Sequence, residues 1–164
     1  ALISSAFSYR RPATDRSKPW PVQADHLEIR RRTNRDKKPE DAARSIVHLT
    51  MWYYAPSKES CLHLAYGMDF DGDRVNPEGY RGVIKPDPEG KGYVLEYAIP
   101  WALLSAGDNP PRAGDTLAAS WSVTWADESG RASVGQLVDI LNPARTETRW
   151  IFMRAGDWGK AHYR

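Results

Sequence analysis

The sequence contains 164 residues, a formal net charge of +2 and one cysteine. This length predicts a single domain over residues 1–164 with a core of its own. The small charge, in which the basic segment 30–38 is followed at once by Glu40 and Asp41, is not typical of nucleic-acid-binding proteins. One cysteine excludes an internal disulfide and a cysteine-rich metal site. No apolar run reaches the ~18 residues of a membrane span, so we expect neither nucleic acid nor a membrane as a partner.

Strands are predicted along almost the whole chain. The segment 25–32 is typical, because Leu27 and Ile29 alternate with polar neighbours as in a half-buried strand. Runs of β-branched and aromatic residues predict further strands at 2–9, 45–55, 60–66, 80–85, 92–99, 116–125 and 148–154. A Gly- and Asp-rich loop is predicted between 66 and 82. Short strands separated by Pro, Gly and Asp predict an all-β fold, an antiparallel β-sandwich of the jelly-roll or immunoglobulin-like two-sheet kind.

The segment 91–104, KGYVLEYAIPWALL, is the most apolar part of the chain. It predicts a strand that ends at Pro100, which lacks a backbone N–H, and then a helical turn at 101–104. Apolar residues on both faces indicate a strand inside a packed sheet. Glu96 is then expected to be buried and to need a cationic or N–H partner.

Enzyme motifs are absent from the sequence, including GxSxG, GxGxxG, the P-loop, HExxH and CxxC. The four histidines are scattered, and each is interpreted as a packing or surface residue. Cys61 lies in an alternating run and is expected to be buried and unreactive. We therefore predict that the chain itself is not an enzyme.

One acidic segment has the composition of a cation site. Asp69, Asp71 and Asp73 occupy alternate positions around Gly72, and three carboxylates could supply oxygen ligands to calcium. In a calcium loop, however, the glycine follows the third acidic position, whereas Gly72 precedes it here. A solvated turn is therefore the preferred interpretation, with calcium as the alternative and no other cofactor expected.

The aromatic composition supports a different hypothesis. Seven tryptophans and eight tyrosines stand against three phenylalanines, and Trp and Tyr suit half-exposed surfaces because each carries a polar edge. Trp20 lies in a loop between prolines, where a core tryptophan is unusual, and Trp150 lies beside Arg149 at the start of the predicted last strand. Sugars stack their C–H faces on flat rings and bond their hydroxyls to polar side chains, so these residues predict a carbohydrate site. Trp52 and Trp121, within strands, are expected in the core.

A resemblance to a known family rests on five ordered segments. The chain resembles carbohydrate-binding module family 9 over almost its whole length, through the residues PW at 19–20, DHLEI at 25–29, GYVLEYAIPW at 92–101, GDTL at 114–117 and WADESG at 125–130. The resemblance implies an antiparallel β-sandwich that binds oligo- or polysaccharide without catalysis. It also implies an accessory module of a secreted polysaccharide-processing protein, hence an extracellular or periplasmic location and further domains in a larger chain.

The same resemblance implies candidate site residues. Two tryptophans of the family clamp a sugar ring, and Trp20 matches the first because it precedes the segment with Asp25 and Glu28. Trp150, with Arg149 beside it, is the nearest match to the second. Glu28 takes a polar sugar-contacting role. The chain departs from the family in two respects. The family's first strands are expected to be missing from this sequence. The predicted strand 60–66 also contains no arginine that could contact the sugar.

Two alternatives stay open. The sandwich could be a structural or spacer module without a ligand. Related sandwiches bind b-type haem for electron transfer through a methionine and a histidine, and the candidate axial ligands here are His48, His63, His162, Met51, Met68 and Met153.

Overall fold

The computed structural model describes residues 2–8, 26–33, 35, 46–54, 57–66, 69–89, 92–126, 133–137, 141–142, 144 and 158–164. Within these ranges no segment forms a helix long and apolar enough to cross a lipid bilayer.

Strands are the main secondary structure of the described residues. In chain order these are β1 (Leu2–Ser8), β2 (His26–Arg32), β3 (Ile46–Tyr54), β4 (Glu59–Tyr66), β5 (Asp69–Val75), β6 (Arg81–Pro86), β7 (Gly92–Ala98), β8 (Thr116–Ala126), β9 (Ser133–Leu137) and β10 (Gly159–His162). They build a three-stranded sheet in the order β1-β7-β6 and a seven-stranded sheet in the order β10-β8-β2-β3-β4-β5, with β9 paired to β8. Every pairing is antiparallel, which confirms the predicted all-β sandwich.

The apolar core lies between the two sheets. It is made of fully or nearly fully buried side chains from both sheets. The larger sheet contributes Leu27, Ile29, Val47, Leu49, Met51, Leu62, Leu64 and Val123, and the smaller sheet contributes Ile84, Tyr93, Leu95 and Tyr97. Because side chains alternate along a strand, the larger sheet has a second face that points away from this core.

Most predicted elements are confirmed to within a few residues. The hairpin between β6 and β7 is closed by the Asp87 N–H, which donates to the Gly92 carbonyl over 2.8 Å. The turn after Pro100 is closed by the Leu103 N–H, which donates to the Pro100 carbonyl over 3.0 Å. Cys61 and Trp52 are buried as expected. The strand predicted at 148–154 lies outside the described residues.

The loop predicted between 66 and 82 was wrong in its first half. Residues Asp69–Val75 form β5, which pairs with β4 across an irregular register. Gly72 therefore lies within an extended strand and not at a calcium-loop turn. Calcium binding by Asp69, Asp71 and Asp73 stays a prediction, since the structure describes the backbone of these residues alone. Strands β9 and β10 were not predicted from the sequence.

The expectation that Glu96 is buried was wrong. Glu96 is exposed and Val94 is 50% exposed, because only the inner face of β7 packs against the larger sheet. The outer sides of β6 and β7 therefore face solvent, as is common in antiparallel sheets. The apolar character of Val94 on this outer face concealed the alternation of the strand.

Tyr97 links the two sheets. Its side chain is fully buried, and its hydroxyl donates a hydrogen bond to the Cys61 carbonyl on β4 over 2.8 Å. The Tyr97 ring stacks on Tyr80 at a centroid distance of 6.1 Å and covers Gly82, its cross-strand partner on β6. A β-carbon at Gly82 would lie only 2.5 Å from that ring. Glycine is thus required at 82 because the ring occupies the space of a side chain.

Arg31 on β2 contacts Tyr163, the residue that follows β10. Its guanidinium carbon lies 5.5 Å from the centroid of the Trp101 ring and 5.1 Å from that of Tyr163, within the range of a cation–π interaction. The guanidinium also donates a hydrogen bond to the Tyr163 hydroxyl. These contacts account for the burial of Arg31, because its charge is matched by two rings and a hydroxyl.

Candidate functional site

The second face of the larger sheet is polar. We call it the polar face and define it by the buried or nearly buried side chains of His26, Glu28, Arg30, His48, Thr50, His63, Ser120, Ser122 and Thr124. They alternate with core residues along β2, β3, β4 and β8, so the same strands that bury leucine and isoleucine on one side carry these groups on the other. Such a concentration of buried polar groups is uncommon, since polar side chains are mostly exposed.

Strand register arranges the polar face in rows. Glu28 lies opposite Ser122 on β8 and Thr50 on β3, and Thr50 lies opposite His63 on β4. In a second row, Arg30 lies opposite Ser120 on β8 and His48 on β3. In a third row, His26 lies opposite Thr124 on β8. Directly opposed side chains on one face have β-carbons about 5 Å apart. The rows therefore bring residues distant in sequence into contact range.

The Glu28 carboxylate lies between two bases of its own strand. Nε2 of His26 lies 3.3 Å from Oε1, and Nη2 of Arg30 donates to Oε2 over 2.9 Å. Burial alone would raise the pKa of Glu28, but the His26 hydrogen bond and the charges of Arg30 and the neighbouring histidines outweigh it. The pKa of Glu28 is held well below its ordinary range, so this carboxylate is ionised at neutral pH.

Burial keeps the His48 imidazole neutral. Burial, reinforced by the positive charge of Arg30, lowers the pKa of His48 to about 3, although Glu28 acts in the other direction. An imidazole that stays neutral has one donor and one acceptor nitrogen. The polar face therefore combines one ion pair with groups that both donate and accept hydrogen bonds.

Three hydroxyl groups of the polar face are unsatisfied among the described residues. Thr50 Oγ1, Ser120 Oγ and Thr124 Oγ1 are buried and have no hydrogen-bond partner in the part of the chain that the structure describes. A buried polar group without a partner costs about 1–3 kcal/mol. Hydroxyls in this state can gain free energy by bonding to a polar ligand.

Among the described residues, the hydroxyl directly opposite His26 is not hydrogen-bonded to this histidine. His26 and Glu28 form the histidine–carboxylate pair that orients a base in hydrolases, and such a base must also be hydrogen-bonded to a hydroxyl or thiol nucleophile. Thr124, directly opposite His26, has a hydroxyl that bonds to no group among the described residues. Nor do the described residues contain three or more His, Cys, Asp or Glu side chains grouped to hold a metal ion.

The same geometry does not favour haem between His48 and His63. Both histidines lie on the polar face of adjacent strands, and they project to the same side of the sheet, whereas the two axial ligands of a haem approach the iron from opposite sides. Met51 lies in the core on the other face, so its side chain and that of His48 point in opposite directions.

Of the residues predicted to contact a sugar, the structure describes the side chain of Glu28 alone. Trp20, Arg149 and Trp150 lie outside the described residues, so the aromatic clamp stays a prediction. Sequence analysis missed the partners of Glu28, above all Arg30 and the histidines. The available signal was the recurrence of polar residues at every second position in 26–30 and 120–124, within strands that are otherwise apolar.

No protein-family model matches the sequence, and no curated protein shows significant similarity to it.

The burial of neutral His48 predicts acid sensitivity. Because its folded-state pKa of about 3 lies below the ordinary value of 6.5, the unfolded chain binds the proton more tightly, and stability falls as the pH drops below 6.5. Between pH 6.5 and 4.5 we expect His48 to cost about 2 kcal/mol of unfolding free energy, measured by urea denaturation. Glu28, with a lowered pKa, adds its own loss only below its ordinary value of 4.5.

The matched variants are His48→Gln and His162→Gln. His48→Gln should flatten the pH dependence between 6.5 and 4.5, while His162→Gln, at an exposed position, should leave it unchanged. An unaltered slope in His48→Gln would contradict the assignment of this loss to His48.

Proposed function

We propose that the chain binds carbohydrate without catalysing a reaction, as an accessory module of a secreted polysaccharide-processing protein. The observation that carries this proposal is the ionised Glu28 carboxylate, which His26 and Arg30 hold among buried hydroxyls that have no hydrogen-bond partner among the described residues. The resemblance of the sequence to carbohydrate-binding module family 9 supports the same function and assigns Glu28 to the sugar.

The chemistry of the polar face suits a ligand rich in hydroxyls. Each sugar hydroxyl both donates and accepts, and it can therefore pair with a carboxylate, a guanidinium, a neutral imidazole or another hydroxyl. A carboxylate that accepts from a sugar hydroxyl forms a charge-assisted bond, which is stronger than a neutral one. Since Arg30 already balances the charge of Glu28, the face favours an uncharged ligand.

The proposed clamp supplies the apolar half of recognition. Trp20 and Trp150 would stack on the C–H faces of a sugar ring while Glu28 fixes its hydroxyls, the combination of apolar and polar groups typical of small-molecule sites. Trp52 lies on β3, two positions after Thr50, and its side chain is 3% exposed. It packs with Cys61 and is therefore assigned to packing and not to the clamp.

Tryptophan fluorescence during titration with soluble oligosaccharides of glucose, xylose, mannose and galactose tests the proposal. We expect a saturable change with one sugar class. Glu28→Gln should weaken that binding by at least about tenfold, the value of a hydrogen bond to a charged group. Trp20→Ala and Trp150→Ala should abolish the response.

The control is Glu96→Gln, which removes an exposed carboxylate from the other sheet and should leave affinity unchanged. Equal affinities in Glu28→Gln and the parent protein would remove Glu28 from the site. No response of the folded protein to any sugar would overturn carbohydrate binding.

The burial of the polar face favours one second candidate, a structural module without ligand. Thr50 and His63 have no exposed surface, as expected of residues that serve only the interior. In that case every sugar leaves the fluorescence unchanged, and Glu28→Gln alters stability alone.

A further inference from the structure

Arg31 lies against two aromatic rings at the end of β2. Its guanidinium contacts the rings of Trp101 and Tyr163 and donates to the Tyr163 hydroxyl, and the centroids of the two rings lie 6.2 Å apart. We call these three residues the arginine–aromatic cluster. Because side chains alternate along a strand, Arg31 points to the opposite side of β2 from Glu28 and Arg30. The cluster is therefore separate from the polar face.

The charge of Arg31 has no counterion among the described residues. Arg30, the other arginine that is buried in these ranges, forms an ion pair with Glu28 at 2.9 Å. The groups that contact Arg31 are two rings and a hydroxyl, which carry no negative charge, and its buried Nε has no hydrogen-bond partner in the described part of the chain. Buried charges are normally paired, since removing a charge from water is costly. The cluster therefore keeps one uncompensated positive charge.

The carboxylate of Asp115, beside the cluster, is already engaged. Asp115 lies there because the Tyr163 N–H donates to the Asp115 carbonyl over 2.9 Å. Its Oδ2 accepts hydrogen bonds from Nε of Arg35 over 2.9 Å and from the Arg112 N–H over 2.7 Å. The ion pair of Arg35 and Asp115 adds no net charge, so the positive charge of Arg31 is left for another anion.

The cluster lies at the surface of the sandwich. The side chains of Arg35 and Asp115 are 30% and 23% exposed, and the residues Trp101 and Tyr163 are partly exposed. The Gly114 N–H donates to the Tyr163 carbonyl over 2.9 Å. Apart from its chain neighbours, no atom lies within 4 Å of the position that a β-carbon would take at Gly114. A molecule from solvent can therefore approach the rings beside this open position.

We infer that the arginine–aromatic cluster binds a carboxylate borne on a sugar ring, the chemistry of a uronic acid residue. A carboxylate supplies the single negative charge that Arg31 lacks, and its plane matches that of a guanidinium. The partly exposed rings of Trp101 and Tyr163 offer flat surfaces to the C–H face of the sugar. The site is distinct from the polar face, so it goes beyond the function proposed above and does not depend on it.

Titration with sodium glucuronate and sodium galacturonate tests the inference, followed by NMR through the Arg31 Nε–H and the Trp101 indole N–H signals. One of the two uronates should shift both signals saturably. Glucose, galactose and inorganic sulfate should bind at least about tenfold more weakly, because the neutral sugars lack the charge and sulfate lacks the ring.

Two variants locate the uronate on the cluster. Tyr163→Ala removes a partly exposed ring and should weaken uronate binding by about tenfold. Arg31→Lys keeps the charge but loses the planar group that pairs with a carboxylate, so it should weaken the same binding. The control is Arg81→Gln, which removes an exposed arginine from the other sheet and should leave uronate affinity unchanged.

Three results would overturn the inference. These are sulfate binding as tight as uronate binding, a uronate affinity that Tyr163→Ala leaves unchanged, and the absence of any shift with both uronates. The fluorescence titration with neutral oligosaccharides tests the polar face separately. Its outcome therefore decides the proposed function, whereas the uronate titration decides the role of the arginine–aromatic cluster.

Discussion

Glu28→Leu is expected to lower the free energy of unfolding by about 3–5 kcal/mol. The reason is that Arg30, which is 5% exposed, loses the carboxylate that balances its charge, and a buried charge without its counterion is costly. His26 loses its hydrogen bond to the same carboxylate. Urea denaturation at pH 7 measures the effect.

A double variant separates the ion pair from simple loss of packing. Glu28→Leu combined with Arg30→Met replaces both charges by apolar groups, a change that is often neutral when partners are removed together. We expect it to recover most of the stability lost in Glu28→Leu. Glu96→Gln, at an exposed position, should stay within about 0.5 kcal/mol of the parent protein. A double variant as unstable as Glu28→Leu would show that the pair does not explain the loss.

Tyr97→Ala is expected to lower the free energy of unfolding by about 3–5 kcal/mol, the range for deleting a large buried side chain. The ring lies in the centre of the smaller sheet, fully buried, and packs on Tyr80 and Gly82. Tyr97→Phe keeps the ring and loses only the hydrogen bond to the Cys61 carbonyl. It should therefore cost about 0.5–1.5 kcal/mol, the net contribution of a typical intramolecular hydrogen bond.

Gly82 supplies the internal check on this assignment. Gly82→Ala should destabilise the parent protein by about 1–3 kcal/mol, since a β-carbon there would lie 2.5 Å from the Tyr97 ring. In the Tyr97→Ala background the same change should cost little, because the ring is gone. If the costs of Gly82→Ala and Tyr97→Ala were additive in the double variant, the close contact would be contradicted. The control is Val83→Ala, at a half-exposed position, which should have a small effect in either background.

The sequence contained enough information for the fold and for the two faces of β2. Leu27 and Ile29 against His26, Glu28 and Arg30 is a period-two pattern that only a strand satisfies. The prediction for β5 failed because Asp and Gly are poor strand formers, while pairing with β4 decides the conformation. The prediction that Glu96 is buried failed because the exposed Val94 makes the outer side of β7 as apolar in sequence as its core side.

The candidate site was predictable only in part. Glu28 followed from the family resemblance, yet its neighbours Thr50 and His63 come from strands that are distant in sequence. Which residue faces which depends on strand order and register, and neither can be counted off a single strand. The polar face is therefore a property of the assembled sheet.

The opposite chemistry of the two sides of β2 also bears on how the sheet assembles. If β2 shifted by one residue against β3 and β8, every side chain would change sides. Glu28 and Arg30 would then enter the layer occupied by Leu27 and Ile29, with no water to solvate them. The charged residues thus penalise a misaligned central strand far more than a strand of uniform composition would, and they favour a single alignment during folding.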